Sequence, residues 1–195
     1  MRVDLLDAIA GLWLVWGVYW WIGSIRTKVA ARTDGVGALL VYRVPMVLGA
    51  LLLIAMNPPH WFPLFPWLWS RWLAASVVWP ALGLALVVLG LAYACWARVA
   101  LGRNWSATVQ LKKDHELIVT GPYRWTRHPI YTGMLLALLG TALAVGEQRG
   151  WVGFVLVFIG LWFKLRHEEA WMRERFGDSY VDYMRRVKAL VPGVL

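Results

Sequence analysis

The sequence has one cysteine, Cys95, and it lies inside an apolar run. A disulfide framework is therefore excluded, and so is a cysteine-based metal site. Charge is scarce as well. Only 16% of the 195 residues are Asp, Glu, Lys or Arg, against about 25% in an average soluble domain. Apolar residues make up 60%, and mean hydropathy is +0.56. A chain this apolar cannot cover itself with polar groups in water, which excludes both a soluble globular domain and a disordered one. Acidic residues are the scarcest charge, 11 against 20 Lys and Arg, for a net charge of +9. Such a balance can mark a nucleic-acid binder. In a membrane protein, however, Lys and Arg collect in cytoplasmic loops, so no nucleic-acid partner is expected. There is no internal repeat and no low-complexity stretch. A dinucleotide-binding unit is missing too. The only Gly-x-Gly, Gly35-Val36-Gly37, follows no strand and opens no βαβ unit.

What remains is a set of long apolar runs. About 20 residues of helix cross a bilayer. Ala8–Ile25 is uncharged and near that length, Val36–Met56 is apolar except for Arg43, and Trp72–Ala97 is uncharged, with Pro80 expected to kink it. Ile130–Val145 and Trp151–Phe163 are shorter and flank the turn 146–150, which predicts a helical hairpin. The expectation is an all-α polytopic membrane protein. It has five membrane-inserted helices, the last two a short hairpin, and a helical cytoplasmic C-terminal cap. Residues 1–71 form an N-terminal part and 72–195 a core. The first run carries Arg2, Asp4 and Asp7 at its head and no small-x-small site after it, so it reads as a span and not as a cleaved signal. The segments 26–35, 98–128 and 164–195 hold sixteen Lys and Arg, against three on the other side (Arg2, Arg71, Arg149). That bias puts the N-terminus outside and the C-terminus in the cytoplasm. The loop 57–71 carries five aromatic residues and four prolines and reads as an interfacial belt, in keeping with a total of 15 Trp. The economy of the loops points to a prokaryotic inner membrane. Arg43 reads as a snorkelling residue.

Polar chemistry is confined to Arg98–Tyr131 and Lys164–Leu195, both on the expected cytoplasmic side. Gly121-Pro122 is a turn signal. Pro129 fits the first turn of the fourth helix, which puts Arg127-His128 at a helix N-terminus, where backbone N–H groups favour an anionic ligand group. The fifth helix is expected to run on to Gly177 as C-cap, with Asp178 capping one more helix. Lys164 and Glu168 stand i,i+4, the spacing of an ion pair. Met172, Phe176, Tyr180, Met184 and Val187 form a stripe read as a packing face.

The string Gly-Pro-Tyr-x-x-x-Arg-His-Pro-x-Tyr-x-Gly spans 121–133. It is followed by Arg-x-Glu-Glu at 166–169, Phe-Gly-x-x-Tyr-x-x-Tyr at 176–183 and Val-Pro-Gly at 191–193. Together these resemble the isoprenylcysteine carboxyl methyltransferase family of integral-membrane, S-adenosylmethionine-dependent enzymes, over about residues 72–193. The wider group includes phospholipid N-methyltransferases and, more distantly, NADPH-dependent sterol reductases. The resemblance implies S-adenosylmethionine as cofactor. It places cofactor contacts on Gln110, His115, Glu116, Leu117, Ile118, Tyr123, His128, Pro129, Ile130, Tyr131 and Glu168. It maps the arginine before His-Pro to Arg127. It implies a substrate-positioning cation just before the Glu pair, where Lys164 fits by counting and Arg166 by chemistry. The family's eukaryotic members often have further N-terminal spans.

These residue types suit the ligand. Arg127 or His128 can meet a carboxylate, Glu168 or Glu169 an amine or ribose hydroxyls, and Leu117-Ile118-Val119 can flank adenine. The expected acceptor is a lipidic small molecule, among membrane lipids, and no protein partner is inferable. A carboxylate acceptor is already ionised at neutral pH, with a pKa of about 4, and needs positioning by a cation such as Arg166. An amine acceptor needs a proton acceptor, for which Glu168 and Glu169 are candidates. The alternatives are a phospholipid amine methyltransferase and an NADPH-dependent reductase. Against the first, 83–102 lacks the Gly-x-Gly its family often shows. Against the second, Lys112-Lys113 is the only basic pair near the cap for a 2′-phosphate. A small membrane scaffold is the non-enzyme reading.

Overall fold

The computed structural model describes residues 2–24, 30–33, 35–55, 65–102, 110–112 and 117–194. In chain order the elements are α1 (Arg2–Ser24), β1 (Ala30–Thr33), α2 (Val36–Ile54), α3 (Val78–Leu101), β2 (Gln110–Lys112), α4 (Pro129–Val145), α5 (Gln148–Phe176) and α6 (Asp178–Arg186). Short 3-10 turns occupy Pro66–Trp69 and Gly121–Arg124. Four helices, α1, α2, α3 and α5, are long and apolar enough to cross a membrane, and α4 is a shorter apolar helix of 17 residues. The protein is a helical integral-membrane protein, as its composition requires.

Two details depart from the sequence reading. Pro80 does not kink a span: α3 begins at Val78, so the proline stands in the first turn, where its missing N–H costs nothing. The fifth span, as expected, runs on past the membrane segment as one unbroken 29-residue helix. Nothing between Phe163 and Phe176 stops it, since no Gly or Pro occurs there, and it ends at Gly177 with φ 53°. Asp178 does not cap α6. Gly177 serves both helices and no side chain caps the second. The sequence also gave no sign of an antiparallel ribbon in which Ala30 pairs with Lys112 and Thr33 with Gln110. Strands of three and four residues are too short for an alternation pattern to show.

The helices pack as two antiparallel pairs. A lipid-facing chain gains nothing from burying leucine against leucine, so close approach needs small residues. In α3 and α4 these are Gly83, Gly90, Gly133 and Gly140. A Cβ added to Gly90 would fall 2.5 Å from the Gly133 carbonyl oxygen, and one on Gly133 the same distance from that of Gly90. α2 and α5 meet the same way, Gly49 against Gly153 and Gly160 against the Tyr42 carbonyl. The seven-residue glycine spacing in α3, α4 and α5 is plain in the sequence once the pairing is known.

Both ends are tied by polar bonds. At the hairpin end, Gln148 N–H donates to Ser70 O (3.0 Å) and Trp72 N–H to Gly146 O (3.2 Å), which fastens the aromatic segment to the α4–α5 turn. Arg149 is buried and donates to Leu52 O at 2.9 Å, satisfying a carbonyl in the last turn of α2. At the other end of α3, the Arg98 guanidinium lies over the rings of Tyr19 (5.0 Å) and Trp20 (4.9 Å). It fills the space where Gly23 lacks a side chain, pinning α1 to α3.

Candidate active site

The polar cluster forms where the start of α4, the second half of α5 and the C-terminal segment meet. His128 is the N-cap of α4 and Pro129 its first residue. This turn is held by the segment after α6. Arg127 N–H donates to Lys188 O (2.8 Å), His128 N–H to Ala189 O (3.0 Å) and the Thr132 hydroxyl to Leu190 O (2.8 Å). The Val-Pro-Gly end of the chain thus follows a segment that fixes the motif turn.

Two adjacent carboxylates on α5 take different partners. Glu169 is buried, its side chain 2% exposed, and its Oε1 accepts from Arg127 Nε (2.8 Å) and Nη2 (2.6 Å). The Arg127 guanidinium also donates to the Val187 and Met184 carbonyls. Glu168 is more open, its side chain 23% exposed. It accepts from the Tyr131 hydroxyl (2.6 Å) and has Lys164 Nζ at 4.0 Å. His128 stands between the two, Nε2 3.3 Å from Glu169 and Nδ1 3.6 Å from Glu168, with its ring parallel to that of Tyr131 at 5.5 Å. Lys164 is buried beside the Tyr131 ring (5.4 Å) and, on its other side, the Tyr42 ring (5.9 Å). Below the cluster, burial pushes the hydroxyls of Tyr123, Tyr180 and Tyr183 well above the usual phenol range, with nearby Glu168 adding to the effect on Tyr123. All three stay protonated and act only as neutral partners, as where Tyr183 donates to the Tyr123 carbonyl.

The structure therefore brings together Tyr123, Arg127, His128, Pro129, Ile130, Tyr131, Lys164, Glu168 and Glu169. Leu117 and Ile118 lie in the stretch entering the Gly121 turn, Ile118 packed against the same core. Gln110 is in β2, while His115 and Glu116 lie outside the described residues. Arg166 does not join the cluster. Two residues along a helix turn the side chain by about 200°, and Arg166 is exposed on a cleft it shares with Tyr42 and Phe163. Tyr42 was not foreseen. Its signal is faint: a lone hydroxylated ring, next to Arg43, in an otherwise apolar span.

A sequence model of the phospholipid methyltransferase family matches residues 78–179, from the start of α3 into α6. The match covers α3, α4, α5 and the whole polar cluster, and the chain belongs to this family of membrane methyltransferases. Its relatives put it with the isoprenylcysteine carboxyl methyltransferases. It is 32% identical over 132 residues to a probable protein-S-isoprenylcysteine O-methyltransferase of Oryza sativa, covering 66% of each chain. To the protein-S-isoprenylcysteine O-methyltransferase of Saccharomyces cerevisiae it is 35% identical over 117 residues, 57% of this chain and 48% of that one. Among solved structures it resembles the eukaryotic intramembrane Ras methyltransferase, isoprenylcysteine carboxyl methyltransferase, with a TM-score of 0.50 and 27% identity over 60% of this chain and 46% of that one. The chain spans between about half and two thirds of the length of these relatives.

Proposed function

We propose that the protein transfers a methyl group from S-adenosylmethionine to the carboxylate of an isoprenoid-like amphiphile, with the polar cluster on the cytoplasmic side. One observation carries the reading. The α4 N-terminus, His128, Tyr131 and the open carboxylate Glu168 converge at one end of an apolar bundle. The residues fit the cofactor. Its methionine part has a carboxylate, which suits a helix N-terminus, and an amine and sulfonium, which suit Glu168. The stretch 117–119 offers backbone groups and apolar side chains to adenine. Bound there, S-adenosylmethionine supplies an electrophilic methyl group on a positively charged sulfur.

The chain's own work is then alignment and water exclusion. Tyr131, hydrogen-bonded to Glu168, sets the direction of that carboxylate. Arg127 and Glu169 satisfy each other, so their role is to hold the turn that carries His128. Two cations flank Glu168 on α5. Lys164 lies inside with Tyr42 and Tyr131, and Arg166 outside at the cleft, where a guanidinium can hold an acceptor carboxylate with two parallel hydrogen bonds. An amine acceptor would need a proton acceptor. Glu169 is committed to Arg127, and Glu168 already accepts from Tyr131, which favours the carboxylate.

Calorimetric titration of the purified protein with S-adenosylhomocysteine, then with NADPH, tests the cofactor. Saturable binding of the first and none of the second is expected. NADPH binding alone would mean a reductase, and binding of neither would mean a membrane scaffold.

A further inference from the structure

The α3–α4 pair carries a surface that neither the polar cluster nor the glycine contacts use. Leu82, Ala85, Leu89, Ala92, Trp96 and Val99 are all exposed and recur every three or four residues along α3, so they form one apolar stripe down the helix. On a helix long and apolar enough to cross a membrane, such a stripe faces lipid. Trp96 stands in the last two turns of α3, at the end where the polar cluster lies. The motif turn reaches across to it. Between Pro122 and Tyr131 the exposed residues are Arg124 and Trp125 alone. The Trp125 ring meets that of Trp96 edge to face at 5.5 Å, and the Arg124 guanidinium lies 5.5 Å from the centre of the Trp125 ring. Among the described residues Arg124 has no carboxylate partner, and the indole N–H of neither tryptophan has a hydrogen bond.

We propose that Trp96, Arg124 and Trp125 bind the headgroup of an anionic phospholipid, and that the bound lipid strengthens cofactor binding by holding the motif turn. The occupant follows from the chemistry. Indole rings settle at the boundary between hydrocarbon and headgroups, where the ring is dry and its N–H is wet. A guanidinium at that level, with no acid to neutralise it, meets a phosphate with two parallel hydrogen bonds. A zwitterionic headgroup brings its own ammonium to the same place, so a net negative lipid such as phosphatidylglycerol is favoured. The site reaches the polar cluster through the backbone. Tyr123 and Thr126, on either side of the exposed pair, are buried, and Arg127 and His128 follow directly. Fixing 124–125 at the lipid surface therefore restrains the turn that carries His128. The effect on the cofactor rests on the methyltransferase reading above, whereas the lipid site does not.

The full chain in dodecyl maltoside is titrated with phosphatidylglycerol and with phosphatidylcholine, and bound lipid is counted by native mass spectrometry. A phosphatidylglycerol is expected to bind more tightly than any phosphatidylcholine, and inorganic phosphate should not displace it. Arg124→Gln should weaken that binding about five- to tenfold. Trp125→Ala should weaken it too, and Arg124→Lys should weaken it less than Arg124→Gln. Arg175→Gln, which removes another exposed cation, should leave it unchanged. The side chains changed are exposed, so each variant should unfold at the parent's temperature in phosphatidylcholine, which separates loss of lipid from loss of fold. Equal effects of Arg124→Gln and Arg175→Gln would mean diffuse attraction to a basic face and would overturn the proposal. Phosphatidylcholine bound as tightly as phosphatidylglycerol would overturn it as well. S-adenosylhomocysteine titration in vesicles of either lipid tests the link to the cofactor. Affinity should be higher in phosphatidylglycerol, and Arg124→Gln should remove the difference. If the affinity is the same in both vesicles, the link fails. If it binds in neither while the lipid titration behaves as expected, the lipid site stands and the methyltransferase reading fails.

Discussion

Two neighbouring glutamates show how much one position along a helix decides. Glu169 points into the protein and is neutralised by Arg127, whereas Glu168 keeps an open face and shares Tyr131 with the α4 terminus. His128→Ala and Glu168→Ala should each weaken S-adenosylhomocysteine binding by roughly ten- to a hundredfold, about 1.5–3 kcal/mol for one charge-assisted contact. Titration of each variant, with circular dichroism to confirm folding, measures this, and unchanged affinity in both would return the pair to a structural role. Arg166→Lys should slow turnover on a carboxylate acceptor while leaving cofactor affinity intact, because an ammonium cannot reproduce the paired hydrogen bonds of a guanidinium. Lys164→Arg should be milder for turnover, since Lys164 faces two rings and Glu168 inside the fold. Comparing kcat with the S-adenosylhomocysteine dissociation constant for each variant decides between the two cations. Much of this was legible in the sequence. Pro129 announces a helix start and therefore makes His128 its cap, and the i,i+4 spacing of Lys164 and Glu168 announces their contact. What the sequence could not show is which of Lys164 and Arg166 faces inward. That depends on where α2 packs against α5, and the contact is made by Tyr42, more than a hundred residues earlier in the chain.

At the scale of elements, the C-terminal segment holds the motif turn in place. Arg127 and Glu169 are both buried, with side chains 9% and 2% exposed. Removing one partner leaves the other charge without compensation, at a cost of about 3–5 kcal/mol. Arg127→Met should therefore lower thermal stability sharply, and Arg127→Met with Glu169→Leu should recover much of the loss, as read by thermal unfolding in detergent. If the single variant is as stable as the parent, the pair does not fasten α5 to the turn. The helix pairs make a second prediction. Gly90→Leu must push α3 away from Gly133, costing about 1–3 kcal/mol as overpacking does. The same change at Gly17, which has open space around it, should cost little. Equal stability of the two variants would contradict the close α3–α4 packing. The glycine spacing is readable in the sequence, but its meaning is not, since a seven-residue repeat names a face and not the helix that covers it. The two-strand ribbon and the role of Arg149 as a cap for α2 were hidden for a similar reason: each joins segments far apart in the chain.

For the molecule as a whole, the apolar bundle and the basic end define how it sits in a bilayer. Sixteen Lys and Arg in the segments at the polar-cluster end, against three at the other, predict that this end faces the cytoplasm. A protease tag at the C-terminus should be protected in intact cells and one inserted in the 57–71 loop accessible, and the reverse pattern would move the site to the opposite face. Carboxyl methyl transfer is the central claim, and one measurement tests it most directly. The purified protein is incubated with methyl-labelled S-adenosylmethionine and an S-prenylated N-acetylcysteine, and the lipid product is then exposed to mild base. A methyl ester releases its label as volatile methanol, whereas an N-methyl group keeps it. The account predicts label in the lipid that is lost in base and is reduced by Arg166→Lys. Label that stays in the lipid after base, or no transfer to the acid at all, would contradict it.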